Sequence, residues 1–279
     1  WNKMLRASAG FNLDATSASG ADASRLGFFP SAGLTFMAAN TGALPSWVNL
    51  LNITLEGSYS GNARFSSNYG KDYYTAANLF SLGGIARANM PNTKLSWETT
   101  RQIDLGFEAA AFDNRISLGF NYYFANSYDL LFNSNISSVY GSGIYYDNVG
   151  EINNSGIELS LRVNPIHNRD WDFVAGVTLA TNKSTLKDLG GAEKSVISFT
   201  GYGNDDAQVV MQVGSNPYEF YGYKTAGVYA TTEQAQAAGL TNAAGISYQA
   251  GDVIFVDQNN DGVINDADKT AIGCASPDV

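Results

Sequence analysis

The sequence is most informative in what it lacks. It holds one cysteine, Cys274, so no disulfide can close within the chain, and a thiol-poor chain suits an oxidising and a reducing compartment equally. It holds one histidine, His167, beside Asn168 and Arg169 in what reads as a short solvated turn rather than a site for a general base. No hydrolase-type serine has a partner histidine, and zinc clusters and phosphate loops are absent. Acid pairs such as Glu98 with Asp104, or Asp205 with Asp206, occur in almost any acidic chain, so no catalytic set is assigned and the reading is not an enzyme. Charged residues make up 15% of the chain, against roughly 25% in soluble domains. The formal net charge of −10 leaves no clustered Lys and Arg for a phosphate backbone, which excludes nucleic acid as the expected partner. No apolar run approaches the roughly 18 residues of a membrane helix. A barrel strand is not excluded by that, since it needs only about 9–11 alternating residues. No leader precedes Trp1, which opens directly into a strand-like pattern; the expectation is a processed chain or a fragment.

What is present is aromatic residues at 13%, 29 glycines and a dominant period of two. Leu5, Ala7, Ala9, Phe11 and Leu13 alternate with polar or small residues, and Ala32, Leu34 and Phe36 form a shorter run. The same alternation carries Leu51 to Tyr59, Ile103 to Ala109, Ile116 to Phe124, Ile157 to Val163 and Trp171 to Leu179. Near-strict alternation means strands with one apolar and one polar face. From Leu51 onward the apolar faces carry no charge, while the opposite faces carry Glu56, Asp104, Glu108, Glu158, Arg162 and Asp172. In a membrane barrel those six would face the lumen, because a lipid-facing Arg or Lys costs about 2–4 kcal/mol at the midplane. A soluble sandwich would also keep charge off its inner face.

The connections separate these readings. Phe112 to Arg115 is a tight turn, Pro165 to Asp170 is short and Ala38 to Asn49 is moderate. Between them lie long polar stretches: Ala15 to Phe29, Ser60 to Thr100, Asn133 to Asn154, and everything after Lys183. Long and short connections alternate as in outer-membrane barrels, with brief periplasmic turns and long extracellular loops. Aromatic pairs such as Phe28-Phe29, Tyr73-Tyr74, Tyr122-Tyr123 and Tyr145-Tyr146 read as interface girdles or binding loops. The fold expected is all-β: a segment of a large antiparallel transmembrane β-barrel set in outer-membrane lipid, with strands over residues 1–182 and an extracellular loop region over 183–279. Seven strands do not close a barrel in lipid, where an open edge has no water to satisfy it, so the chain reads as incomplete.

Several segments resemble the SusC/RagA-like family of TonB-dependent transporters, in family order from Leu95 onward. They are Leu95 to Gln102, Asn114 to Ser117 followed by Asn121-Tyr122-Tyr123, Tyr128 to Leu131, Asn148 to Leu159, Phe220 to Lys224 followed by Gly227 to Tyr229, and Asp257 to Gly273. The resemblance implies the C-terminal part of an outer-membrane importer from a Bacteroidota-type bacterium. It further implies a SusD-like surface lipoprotein, the TonB system and an oligosaccharide or peptide cargo. The family's N-terminal plug and last strands have no counterpart in the sequence.

One motif carries ligand chemistry. From Asp257 to Asp268, oxygen-bearing groups fall at positions 1, 3, 5, 7, 9 and 12 of a calcium loop: Asp257, Asn259, Asp261, the Val263 carbonyl, Asn265 and Asp268. Gly262 occupies position 6, where such loops turn sharply, but position 12 is Asp instead of Glu and no flanking helices are evident. A structural Ca2+ stiffening an extracellular loop is expected; the plainer alternative is a polar turn closed by its own Asx hydrogen bonds. Tyr140, Tyr145, Tyr146, Tyr202, Phe220 and Tyr221 are candidates to touch cargo or lid, with packing between loops the alternative for each. The function expected is nutrient import across the outer membrane. The competing reading is a soluble, calcium-stiffened β-sandwich that binds carbohydrate or acts as an adhesin.

Overall fold

A computed structural model describes residues 3–79, 82–137, 139, 144–199 and 207–274. The chain forms two compact units, one reaching Ala192 and one over Glu193–Pro277. Nine strands lie in the first unit: β1 (Leu5–Ala15), β2 (Leu26–Met37), β3 (Val48–Asn62), β4 (Tyr73–Leu79), β5 (Leu82–Asn89), β6 (Glu98–Ala111), β7 (Ile116–Asn135), β8 (Ile144–His167) and β9 (Asp172–Leu189). Seven of them make one sheet in the order β1-β2-β3-β6-β7-β8-β9, and β4 pairs with β5 as a separate hairpin. Every pairing of these strands is antiparallel. The expected meander is therefore present, as an open sheet.

Three strands are longer than their alternation suggests, and one loop holds structure. β7 and β8 stay paired out to Asn135 and Ile144, inside the stretch that reads as a polar loop. β9 carries the sheet past residue 182 to Leu189. The β4–β5 hairpin occupies the middle of the Ser60–Thr100 stretch. At the other end the turns are brief. Phe112, Asp113 and Asn114 all sit in the left-handed region, at φ 54°, 57° and 63°, which reverses the chain between β6 and β7 within four residues. Between β8 and β9, the Asn168 side-chain oxygen accepts from the Asp170 and Trp171 N–H groups, an Asx turn. The β2–β3 ladder stops at Ser31, beside Pro30, which has no N–H to give.

The apolar face of this sheet is uncovered by any other strand of its unit among the described residues. Leu55 is 52% and Val177 57% exposed, and Leu34, Ile103, Leu105 and Ile157 are similarly open. An apolar area of that extent is not kept in water by a monomeric protein, so its natural solvent is lipid. Aromatic side chains mark its two ends. Trp47 stacks on Phe112 with centroids 5.2 Å apart at the turn end, where Trp171 is also exposed; Tyr59 and Tyr122 lie toward the loop end.

The belt also runs obliquely across the strands. One row of paired residues passes through Ala9, Ala32, Gly57, Ile103, Phe124, Ser155 and Lys183. On β1 the apolar face continues four residues beyond this row to Leu13, whereas on β9 it ends four residues short of it, at Leu179. At about 3.4 Å per residue and 4.8 Å per strand, a slip of eight residues over six strand steps is a tilt of about 45°. Barrel walls are inclined by about that angle. Phe28 and Phe29 divide accordingly: Phe28 is exposed on the belt, and Phe29 is buried on the other face, edge-on to Trp97 at 5.4 Å. Tyr122 and Tyr123, expected near a strand end, lie well inside β7 and point to opposite faces.

The second unit contains β10 (Lys194–Phe199), β11 (Ala207–Gln212), β12 (Glu219–Tyr223), β13 (Thr225–Val228), α1 (Thr232–Ala238), β14 (Thr241–Asn242), β15 (Val253–Phe255), β16 (Val263–Ile264) and β17 (Lys269–Cys274). A four-stranded sheet runs β10-β11-β12-β17. The Thr231 hydroxyl caps α1 by accepting from the Gln234 N–H, and Gly239 at φ 68° ends the helix. Tyr223, Phe255, Tyr248 and Tyr229 form a chain of ring contacts between 5.5 and 6.2 Å, and Tyr229 is buried at its end.

The belt predicts opposite outcomes at adjacent residues of β8. Leu159→Arg places a charge on the apolar face and is expected to cost about 2–4 kcal/mol at the midplane and to deplete the protein from the membrane fraction. Ser160→Arg places the same charge on the polar face and leaves the amount unchanged. Immunoblotting of membrane fractions checks both, and equal losses would mean that the faces are wrongly assigned.

Candidate functional site

The candidate site is the polar face of the seven-stranded sheet together with the loop roots above it. The period of two sets Glu56, Asp104, Glu108, Glu158, Arg162 and Asp172 on one face, because each alternates with a belt residue. Register then fixes their neighbours. Glu56 lies directly opposite Asp104, two carboxylates on adjacent strands. Like charges in that arrangement repel and persist where water screens them. The Gln102 amide donates to both Asp104 oxygens at 2.9 Å, and the Asn52 amide donates to Glu108 at 3.3 Å. Among the described residues, none of Glu56, Asp104, Glu108 and Glu158 is within ion-pair distance of a Lys or Arg. At the turn end Asp172 accepts from Asn164 at 2.8 Å and faces His167 at 3.3 Å.

The middle of this face is hollow because its residues are small. Gly106, Gly119, Ser160, Thr178 and Ala180 line an open depression of about 550 Å³, with Glu108, Asn121 and Glu158 on its walls. Depth follows from the tilt. Asp104 and Glu158 adjoin Ile103 and Ile157, the last apolar residues of their strands before the loop end, so both sit at the mouth. Glu108 and Arg162 lie four residues deeper on the same strands.

Above the mouth, the β1–β2 and β5–β6 connections are fastened to each other and to the outer ends of β7 and β8 by hydrogen bonds. The Gly20 N–H donates to the Leu95 carbonyl at 2.8 Å and the Asp22 N–H to the Thr93 carbonyl at 2.8 Å. Buried Asn92 donates to the Tyr146 carbonyl at 3.0 Å and to the Asp147 carboxylate at 2.9 Å. Asn148 accepts from the Ser96 N–H at 2.8 Å and donates to the Ser96 and Asp129 carbonyls. Fully buried Leu95 sits among these bonds. A Cβ on Gly20 would fall 2.2 Å from the Thr93 carbonyl oxygen, so only glycine allows the crossing.

The aromatic candidates are dispersed. Tyr146 stacks on Tyr69 with centroids 3.7 Å apart, and Tyr145 is bridged to Met90. Tyr221 lies under the Lys194 ammonium, which is 4.8 Å from its ring and 3.1 Å from its hydroxyl. Phe220 points to the opposite face of that sheet and is exposed. Tyr140 and Tyr202 lie outside the described residues. Sequence reasoning misses Gly20, Asn92 and Asn148 as site residues. Only Asn148 gives a signal, as part of a family-like segment.

The loop from Asp257 to Asp268 is closed by its own backbone donors. Asp257 accepts from the Asn260 and Gly262 N–H groups at 2.7 and 2.8 Å. Asn259 and Asp261 accept from the N–H groups of Asp261 and Val263. Asp268, fully buried, accepts from Gln258 and Asn265, each at 2.9 Å. The Asn265 N–H, with the other backbone donors, holds the Asp268 carboxyl below the usual carboxylate range against its burial. Gly262 sits at φ 79°, the sharp turn that position 6 requires. The oxygen-rich donor set and this turn fit calcium; the carboxylates of Asp257, Asp261 and Asp268 are not gathered into a cluster of three. The Asn265 amide also donates to the Val263 carbonyl at 3.1 Å.

Two substitutions test the fastening of the loops. Gly20→Ala forces the crossing backbones apart and is expected to cost about 1–3 kcal/mol, the usual cost of overpacking. Asn92→Ala strands buried polar partners at a cost of about 1–3 kcal/mol. Limited proteolysis of the detergent-purified protein should show cleavage near residues 20, 92 and 146 accelerated in both variants. Unchanged loop cleavage would show that these bonds do not hold the loops.

Comparison with known proteins agrees with this geometry. The family model described as TonB dependent receptor-like, beta-barrel matches residues 1–260. TonB-dependent receptor P3 of Formosa agariphila is 31% identical over 221 residues, 79% of this chain and 21% of its own length. TonB-dependent receptor SusC of Bacteroides thetaiotaomicron is 26% identical over 210 residues, 72% of this chain and 18% of its own. The chain thus spans about a fifth of the length of these relatives. The structure of the RagAB peptide importer in its "open-open" state superposes with a TM-score of 0.78 at 24% identity, over 97% of this chain and 28% of that one. With the oblique apolar belt, the wet acidic face and a family match over nearly its whole length, the chain belongs to the TonB-dependent receptor-like β-barrel family.

Proposed function

We propose that this chain is part of the wall of an outer-membrane, TonB-dependent importer of the SusC type, working with a SusD-like surface lipoprotein in a Bacteroidota-type bacterium. The observation that carries the reading is the two-sided sheet. Its belt carries no charge on any strand, from Leu5–Leu13 on β1, through Ile103–Ala109 on β6, to Phe173–Leu179 on β9. Its other face keeps four acids without ion-pair partners among the described residues. That division serves a wall between lipid and a water-filled passage. The soluble-sandwich reading lacks a second sheet over the belt within the same unit, among the described residues.

The cargo follows the charge of the wall. Asp104 and Glu158 at the mouth, with Glu56 and Glu108 further in, disfavour polyanions. Neutral or cationic oligosaccharides or peptides suit this face, and RagAB, one of the structural relatives, is a peptide importer by its description. In cells carrying the full-length protein, uptake of a neutral labelled oligosaccharide or peptide should require the intact TonB system. The combined variant Asp104→Asn, Glu158→Gln should raise uptake of an acidic cargo several-fold and leave the neutral one unchanged. Unchanged discrimination would remove the role given to these carboxylates, and uptake independent of TonB would overturn the importer reading.

Calcium belongs to the same proposal as a stiffener of the Asp257–Asp268 loop. Asp257, Asn259, Asp261, the Val263 carbonyl, Asn265 and Asp268 supply the oxygens, and binding draws the three carboxylates together against their mutual repulsion. At a free concentration about 100-fold above the dissociation constant, such binding stabilises the folded loop by about 2.7 kcal/mol. Added Ca2+ should therefore slow exchange of the loop amides, a chelator should reverse this, and Asp261→Ala should abolish it. Identical exchange in calcium and in chelator would leave the Asx-closed loop as the whole account.

A further inference from the structure

The polar rim of the lipid-facing side holds a feature that the passage does not use. Just beyond the loop end of the belt, the face that carries Leu105 and Leu179 changes character. On β6 the residue two beyond Ile103 is Arg101; on β9 the residue four beyond Leu179 is Lys183. Within four residues of the belt's loop-side limit, no strand position on this face carries Asp or Glu. The contrast with the opposite face is sharp in a chain of 26 acids and 16 bases.

Both cations are exposed, and among the described residues neither is in an ion pair. Arg101 lies 6.0 Å from the centroid of the Tyr128 ring, which steadies the guanidinium without neutralising it. Its paired neighbours are Tyr59 on one side and Asn126 on the other. Asn126 is buried and donates to Glu151 and Asn153, so Glu151, further out on β8, is already engaged by a hydrogen bond. At a tilt of about 45°, two to four residues of strand correspond to about 5–10 Å beyond the hydrocarbon limit. That is headgroup depth, and a lysine stem reaches further along the surface.

We propose that Arg101 and Lys183 bind phosphate-bearing headgroups of the lipid leaflet on the loop side, anchoring the tilted wall at a fixed depth. The surface continues the lipid-facing belt without a break, and its charge is complementary to an anionic headgroup. The two cations lie three strands apart, about 14 Å, so each meets its own phosphate. This inference rests on the membrane reading above, because only a belt in lipid brings headgroups to that row.

The test uses the full-length transporter, purified in detergent and offered dioleoyl phosphatidic acid or dioleoyl phosphatidylcholine, with retained lipid counted by native mass spectrometry. The wild type should retain the phosphatidic acid preferentially. Arg101→Gln and Lys183→Gln should each reduce that retention by about fivefold, with Arg101→Lys and Lys183→Arg restoring it. Inorganic phosphate in large excess should not displace the lipid. Equal retention of both lipids by the wild type, unchanged retention in the Gln variants, or displacement by inorganic phosphate would each overturn the proposal. Failure of the membrane reading shows separately, as protein that stays in solution without detergent.

Discussion

The backbone of this chain must make its hydrogen bonds within protein wherever lipid replaces water, and everything else follows from that demand. An unpaired N–H or C=O in hydrocarbon costs several kcal/mol, so a chain without membrane helices crosses only as paired strands. Pairing fixes the alternation of side chains, and alternation gives one face to lipid and the other to water. The uncharged belt and the acidic face are thus two products of one ladder. The brief turns belong to the same constraint, since Phe112 to Asn114 reverse the chain in left-handed conformations where a long loop would have to be kept near the membrane.

Where the chain leaves lipid, the ladder persists but its signature fades. That explains which parts of the fold were legible in the sequence. Strands from Leu5 to Leu179 alternate because their two faces meet different solvents. From Asn126 to Asn135 on β7, and beyond Asn182 on β9, the two faces no longer meet lipid on one side and water on the other, polar residues mix with apolar ones such as Leu130 and buried Leu186, and the period vanishes while pairing continues. The β4–β5 hairpin was illegible for the same reason, with Tyr73 and Tyr74 exposed alike although they point to opposite sides. Periodicity reports a difference between environments, not the strand itself.

The site was legible in part. The six charged residues of the polar face are set by parity, which the sequence shows directly. The fastening of the loops is not, because it depends on single residues, Gly20, Asn92 and Asn148, meeting across separations of more than fifty positions. No local pattern encodes such a meeting. The aromatic pairs guide only by halves for a related reason: neighbours in a strand face opposite ways, so Phe28 lies on the belt while Phe29 is buried on the other face. The calcium-like spacing and the Asx-closed turn were both legible as chemistry, while which N–H groups close the loop emerged only in three dimensions.

The oblique belt changes what a molecule inside the passage would meet. Rows of paired residues do not lie level; they wind like the thread of a screw, climbing toward the mouth from β1 to β9. Asp104 and Glu158 come from different rows and yet share a depth, whereas Glu56 and Asp104 share a row and do not. In the passage proposed above, a cargo moving straight along the axis would meet Asp104 and Glu158 together and Glu56 after them, on a spiral that leads around the wall from strand to strand and forms no single ring of charge.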